Sequence, residues 1–119
     1  MIKNDGFEAR VLTLFPEMFP GPLEHSLAGK ALMNNIWRLN TVNIRDYSED
    51  KHGTVDDDPY GGGPGMIMRA DILAKAFDDN DPGKEWEKIV LTPRGKPLTQ
   101  SKIRDISSKP GVVIVCGRY

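Results

Sequence analysis

Pro59-Tyr60-Gly61-Gly62-Gly63-Pro64-Gly65-Met66 is the segment whose composition most invites chemistry. Glycines without a Cβ let backbone amides approach a ligand closely and tolerate positive φ. Two familiar glycine loops are excluded by the neighbours. A phosphate-binding P-loop ends in Gly-Lys-Ser/Thr, whereas Gly65 is followed by Met66. A dinucleotide fingerprint needs its third glycine where Met66 stands and a strand directly before the first. The string is therefore either a surface turn or a ligand-approaching loop of another kind.

Asp56-Asp57-Asp58 lies just before it. A calcium loop spaces its acids at alternate positions, and three consecutive carboxylates cannot converge on one ion without a sharp bend. One aspartate acting on a substrate, or a solvated acidic loop, fits better. His25 and His52 are too few and too far apart for zinc, and Cys116 has no partner spacing. No metal is expected. Cys116 ends an apolar run, where a free cysteine behaves as a small hydrophobe, and nothing near it in sequence is built to lower its pKa.

Leu91-Thr92-Pro93-Arg94-Gly95 and Cys116-Gly117-Arg118-Tyr119 each follow a short apolar run and carry Gly and Arg. If the two runs are parallel neighbours, both turns open on one edge of a sheet and their backbone groups can hold a small ligand there.

The elements that position these residues follow from periodicity. Phe7–Phe15 is β-rich and stops at Pro16. Leu23, Leu27, Ala31 and Leu32 fall at helical spacing, with Asn34 and Asn35 to close the helix. Residues 36–45 alternate as a second strand, and residues 46–65 read as a long loop. Asp71 is placed to cap a helix through Ile72, Leu73, Ala76 and Phe77, ending in a turn over residues 78–83. Residues 88–92 read as a short buried strand. Thr99 caps a helix to Ser108 with Ile103 and Ile106 facing in. Gly111–Cys116 reads as a strand buried on both faces. This succession predicts an α/β domain with a largely parallel sheet.

The chain has 119 residues, enough for one domain with a real core. Sixteen basic and seventeen acidic side chains give a net charge of −1, which flags no partner class. No run approaches the ~18 apolar residues of a membrane span, and the first residues lack the apolar stretch of a secretory signal. A single cysteine fits a reducing compartment, so a cytoplasmic location without membrane association is expected.

Five segments in order resemble the bacterial tRNA (guanine-N1)-methyltransferases. They are Leu14–Phe19, Arg45-Asp46-Tyr47, His52–Met66, Leu91–Gly95 with Leu98 and Gln100, and Val115–Tyr119. The resemblance implies a trefoil-knotted α/β domain that binds S-adenosylmethionine, works as a homodimer and methylates N1 of the guanine 3′ of the tRNA anticodon. Carried over by motif, Leu91, Thr92, Pro93, Gly117 and Tyr119 line the cofactor pocket. Pro64 and Gly65 belong to the pocket for the extruded guanine, and Asp56, Tyr60 and Arg45 support it or face the tRNA. Val90 stands where some members have Tyr, a change that a backbone contact survives.

In the family, the general base and an assisting Arg follow the position of Tyr119. Residues 1–119 are therefore expected to form the N-terminal part of the methyltransferase domain, short of the complete knot and of the C-terminal tRNA-binding domain. On that expectation no catalytic residue lies in this chain, and the chain alone is inactive. A knotted RNA methyltransferase acting on another base, or a non-catalytic nucleotide-binding fragment, are the alternatives.

Overall fold

The computed structural model describes residues 6–48, 56–57, 67–68, 70–92 and 94–116. In chain order the elements are β1 (Phe7–Thr13), α1 (Ser26–Met33), β2 (Trp37–Asn43), β3 (Asp56–Asp57), β4 (Ile67–Met68), α2 (Ala70–Asn80), β5 (Glu87–Val90), α3 (Gln100–Ser107) and β6 (Gly111–Val115). Four strands form one sheet in the order β2-β1-β6-β5, and every neighbouring pair is parallel. The predicted α/β class and parallel sheet are thus observed.

Burial follows strand position. The unbroken run Gly111–Val115 supplies β6, which lies between β1 and β5 and is almost wholly buried. An interior parallel strand covered on both faces needs apolar residues on both, which is why this run does not alternate. On one face Leu12, Val42 and Val115 share a register line, and α2 packs there through Ile72 and Ala76. Leu12, Ile44 and Val113 are completely buried, each contributing roughly 1.5–3 kcal/mol of apolar transfer. The opposite face carries α1 and α3. Trp37 donates its indole N–H to the Ala28 carbonyl of α1 (2.9 Å), and Glu87 binds Lys102 of α3 (2.9 Å).

Local signals set the boundaries. After α1, Asn35 adopts φ 60°, the Ile36 amide donates to the Ala31 carbonyl (2.9 Å) and the Asn35 amide to Leu32 (3.2 Å). These two bonds make a Schellman cap, with Asn in the left-handed position usually held by Gly. Thr99 caps α3 as expected, its hydroxyl accepting from the Lys102 amide at 3.1 Å.

Several boundaries differ from the sequence reading. Asp71 lies inside the first turn of α2, where a carboxylate favours the positive helix end. The helix continues through Asp78, Asp79 and Asn80, because side chains and Arg10 satisfy its last turn: Asn80 donates to the Ala76 carbonyl (2.7 Å), and Arg10 donates to the Asn80 carbonyl (2.8 Å). The strand expected at 88–92 is β5 at the sheet edge, with Val90 62% and Leu91 53% exposed. Ile103 is exposed rather than inward-facing, and the alternating strand after α1 ends at Asn43, followed by a 3-10 turn, Ile44–Tyr47. Within the expected loop, β3 pairs antiparallel with β4, Asp57 opposite Ile67.

Candidate functional site at the carboxyl edge of the sheet

Because all four sheet strands are parallel, their carboxyl ends share one edge, the usual ligand-binding edge of an open α/β sheet. Asn43 leads from β2 into the Ile44–Tyr47 turn, Leu14 and Phe15 follow β1, Cys116 follows β6, and Leu91 and Thr92 follow β5. The conditional expectation about the two Gly/Arg turns is met, since β5 and β6 are parallel neighbours with Val90 opposite Val115.

Backbone hydrogen bonds define this edge closely. The Leu91 amide donates to the Val115 carbonyl (3.1 Å), and the Cys116 amide donates to the Leu12 carbonyl (2.9 Å). Beyond Leu91 the chain turns, with the Gly95 amide on the Thr92 carbonyl (3.1 Å) and the Arg94 amide on Thr92 Oγ1 (3.3 Å). A threonine hydroxyl that accepts from the amide two residues on stabilises such a turn. Thr92 therefore shapes the backbone of the turn through both its oxygen atoms. Cys116 is half-buried, and burial raises its thiol pKa above the ordinary value. It is a neutral wall group, not an activated nucleophile.

At the other end of the edge, the Ile44–Tyr47 turn is held from both sides. Ile44 is fully buried in the core. Asn43 Oδ1 accepts from the Arg45 amide (3.0 Å), and the Ser48 amide donates to the Arg45 carbonyl (3.1 Å). The Tyr47 hydroxyl donates to Asp79 Oδ2 (2.5 Å) and accepts from Asn80 Nδ2 (3.0 Å). Its pKa is raised, first by that bond to Asp79 and then by desolvation. Tyr47, Lys75, Asp78 and Asp79 line an open hollow beside the turn.

Of the residues singled out from sequence, Leu91, Thr92 and Arg45 stand on this common edge. They are not in one cluster, because β2 and β5 are the outermost strands, about 14 Å apart at the usual strand spacing of about 4.8 Å. Asp56 lies in β3, paired with Met68. Pro64, Gly65, Tyr60, Pro93, Gly117 and Tyr119 lie outside the described residues. The sequence reading missed the roles of Asp79 and Asn80. Their turn-forming composition hides a helix end, and a partner more than 30 residues away leaves no local signal.

Comparison with known proteins bears on what this edge does. The family model described as tRNA (Guanine-1)-methyltransferase TrmD matches residues 7–119. A tRNA (guanine-N(1)-)-methyltransferase from Zymomonas mobilis is 58% identical over 117 residues, which cover 98% of this chain and 47% of the relative. Its counterpart from Chelativorans sp. is 57% identical, covering 95% of this chain and 48% of that protein. The protein of the same name from Rhodopseudomonas palustris is 56% identical, with 95% and 45% covered. The chain spans about half the length of the curated relatives it matches.

Proposed function

The chain belongs to the tRNA (guanine-1)-methyltransferase family, and on that premise we propose that its protein transfers a methyl group from S-adenosylmethionine to N1 of the guanine 3′ of the anticodon in tRNA. One observation carries the reading beyond the family name. The Thr92 turn, the end of β6 and the Arg45 turn open on the same edge of a parallel sheet, where small ligands are held in open α/β folds.

The residues present fit the cofactor. The edge offers a turn whose backbone is fixed by Thr92, the exposed aliphatic side chain of Leu91, and a neutral, half-buried Cys116 at the end of the neighbouring strand. Such a wall, mostly apolar with a few placed polar groups, suits the adenosine portion of that cofactor. Leu91, Thr92, Pro93, Gly117 and Tyr119 would hold it. When bound, S-adenosylmethionine supplies an electrophilic methyl group on a sulfonium.

This chain's own contribution is binding and alignment. Leu91 and Thr92 fix one end of the edge, and Arg45 presents a guanidinium to the tRNA at the other. Pro64, Gly65, Asp56 and Tyr60 are assigned to the pocket of the flipped guanine, which must leave the stack to be reached. These residues would hold guanine N1 in line with the methyl carbon and sulfur of a bound cofactor, while a general base takes the N1 proton. Alignment of the three reacting atoms is the chief catalytic work. The general base is assigned outside residues 1–119, as is a C-terminal tRNA-binding domain, a division supported by relatives about twice as long. The knotted topology, homodimer and cytoplasmic location belong to the same proposal; among the described residues no helix is long and apolar enough to cross a membrane. These 119 residues alone are expected to transfer no methyl group.

The test is incorporation of labelled methyl groups by the full-length protein into transcripts carrying guanine or adenine 3′ of the anticodon. Transfer to guanine alone, mapped to N1, is expected. Equal labelling of both transcripts would point to a knotted methyltransferase of another specificity. Cofactor binding without transfer would make the protein a binding module.

A further inference from the structure

Tyr47 sits where the chain leaves the sheet, and its hydroxyl reaches across to the last turn of α2. It donates to Asp79 and accepts from Asn80, and Asn80 is itself fixed to the Ala76 carbonyl. Ile44, three residues earlier, is fully buried in the core cluster against which Tyr47 also packs. Arg45 lies between these two anchors, with its amide and its carbonyl both hydrogen bonded. The backbone from which its half-buried side chain departs is therefore fixed at both ends of the turn.

The two anchors do different things. Burial of Ile44 contributes packing, whereas the Tyr47–Asp79 bond is exposed. An exposed hydrogen bond adds little to global stability but still restricts the torsions of a short turn. An arginine gains from such restriction, because its planar fork binds a phosphate through two parallel hydrogen bonds only when correctly oriented.

We propose that Tyr47, held by Asp79 and Asn80, is a positioning residue that orients Arg45 toward the phosphodiester backbone of the RNA substrate. The inference rests on the tRNA-methyltransferase reading above. Tyr47 acts only through Arg45 and touches no reacting atom.

The experiment uses the full-length protein, steady-state methyl transfer to a tRNA transcript, and four variants: Tyr47→Phe, Asp79→Ala, Asp79→Asn and Arg45→Ala. Tyr47→Phe keeps the ring but loses both hydroxyl bonds. It is expected to raise KM for tRNA about five- to tenfold, the scale of one ordinary hydrogen bond, with kcat within about twofold and KM for S-adenosylmethionine unchanged. Asp79→Ala should behave alike, and Asp79→Asn, which keeps an oxygen to accept the hydroxyl, should recover most of the loss. In an Arg45→Ala background, Tyr47→Phe should add nothing further.

An unchanged KM in Tyr47→Phe overturns the proposal. So does a full additional loss on top of Arg45→Ala, or a loss shared equally by both substrates together with a lowered Tm. Failure of the unaltered protein to methylate any tRNA overturns the functional reading first, and the positioning role with it.

Discussion

Leu91 and Val115 are joined by a hydrogen bond from the Leu91 amide to the Val115 carbonyl, 3.1 Å long and one residue past the last paired rung of β5 and β6. That bond keeps the two chains together until both leave the sheet. Thr92 and Cys116 consequently depart side by side, and the turn after β5 starts from a fixed point. Val90 and Leu91 nevertheless remain exposed, because among the described residues β5 is an edge strand with β6 as its one neighbour.

Gly111→Ala is expected to destabilise the fold by about 2–3 kcal/mol, the scale of overpacking a filled core. A Cβ at Gly111 would overlap the Glu8 carbonyl oxygen and come within 2.6 Å of the Trp86 ring. Neither can withdraw freely, since Glu8 belongs to β1 and the guanidinium of Arg10 stacks over Trp86 at 4.8 Å. Urea denaturation measures the loss. An unaltered midpoint would show that Trp86 moves aside without cost.

Glu87 lies at the start of β5, where Lys102 and Lys109 both bind its carboxylate and hold its pKa below the ordinary 4.5. A depressed folded pKa means that the unfolded chain binds more protons within the window below 4.5. The stabilisation is therefore fully present above about pH 4.5 and fades as the pH falls through the lower folded value. Glu87→Gln should be less stable than the unaltered protein at pH 7, with the gap closing in acid. Melting curves from pH 7 down to pH 3 check this, and a constant gap would assign the effect to packing.

How far the sequence was legible can be judged residue by residue. The β6 run declared its central place because only an interior parallel strand needs apolar residues on successive positions, and Thr99 declared a helix start by a local hydroxyl bond. The common edge of the Thr92 and Cys116 turns was legible as a condition that parallel pairing then met. The end of α2 was not. Asp78, Asp79 and Asn80 have turn-forming side chains, and they remain helical because Arg10 and Tyr47, more than 30 residues away, satisfy polar groups at that end. The exposure of Leu91 was hidden for a similar reason. An apolar run reports that a strand exists, but its place in the sheet is set by pairings distant in sequence.

Cys116 gives a prediction at the opposite end of the pH scale. Burial raises its thiol pKa above 9.0, so alkylation of the folded protein should be slower than that of the unfolded chain at pH 8. The linkage has the reverse sign to that of Glu87. Its contribution to stability is present below pH 9.0 and is lost as the pH rises through the folded value. Iodoacetamide labelling followed by mass spectrometry, in native buffer and in urea, measures the difference. Equal rates would mean that the thiol stands open to solvent.

Thr92 allows the cofactor assignment to be tested apart from folding. Its hydroxyl accepts from the Arg94 amide at 3.3 Å, while its carbonyl accepts from Gly95. Thr92→Val keeps the branched shape and the carbonyl but removes the side-chain acceptor. Residue 92 is exposed, so stability should change by less than about 1 kcal/mol. A turn less tightly held should bind S-adenosylmethionine about fivefold more weakly, roughly one ordinary hydrogen bond, in calorimetric titration of the full-length protein. KM for tRNA should stay constant, because Arg45 stands at the far end of the edge, beyond β1 and β6. Parallel losses for cofactor and tRNA would mean that the two ends of the edge work as one site. An unchanged cofactor affinity would remove the Thr92 hydroxyl from the pocket and leave the backbone alone to hold the ligand.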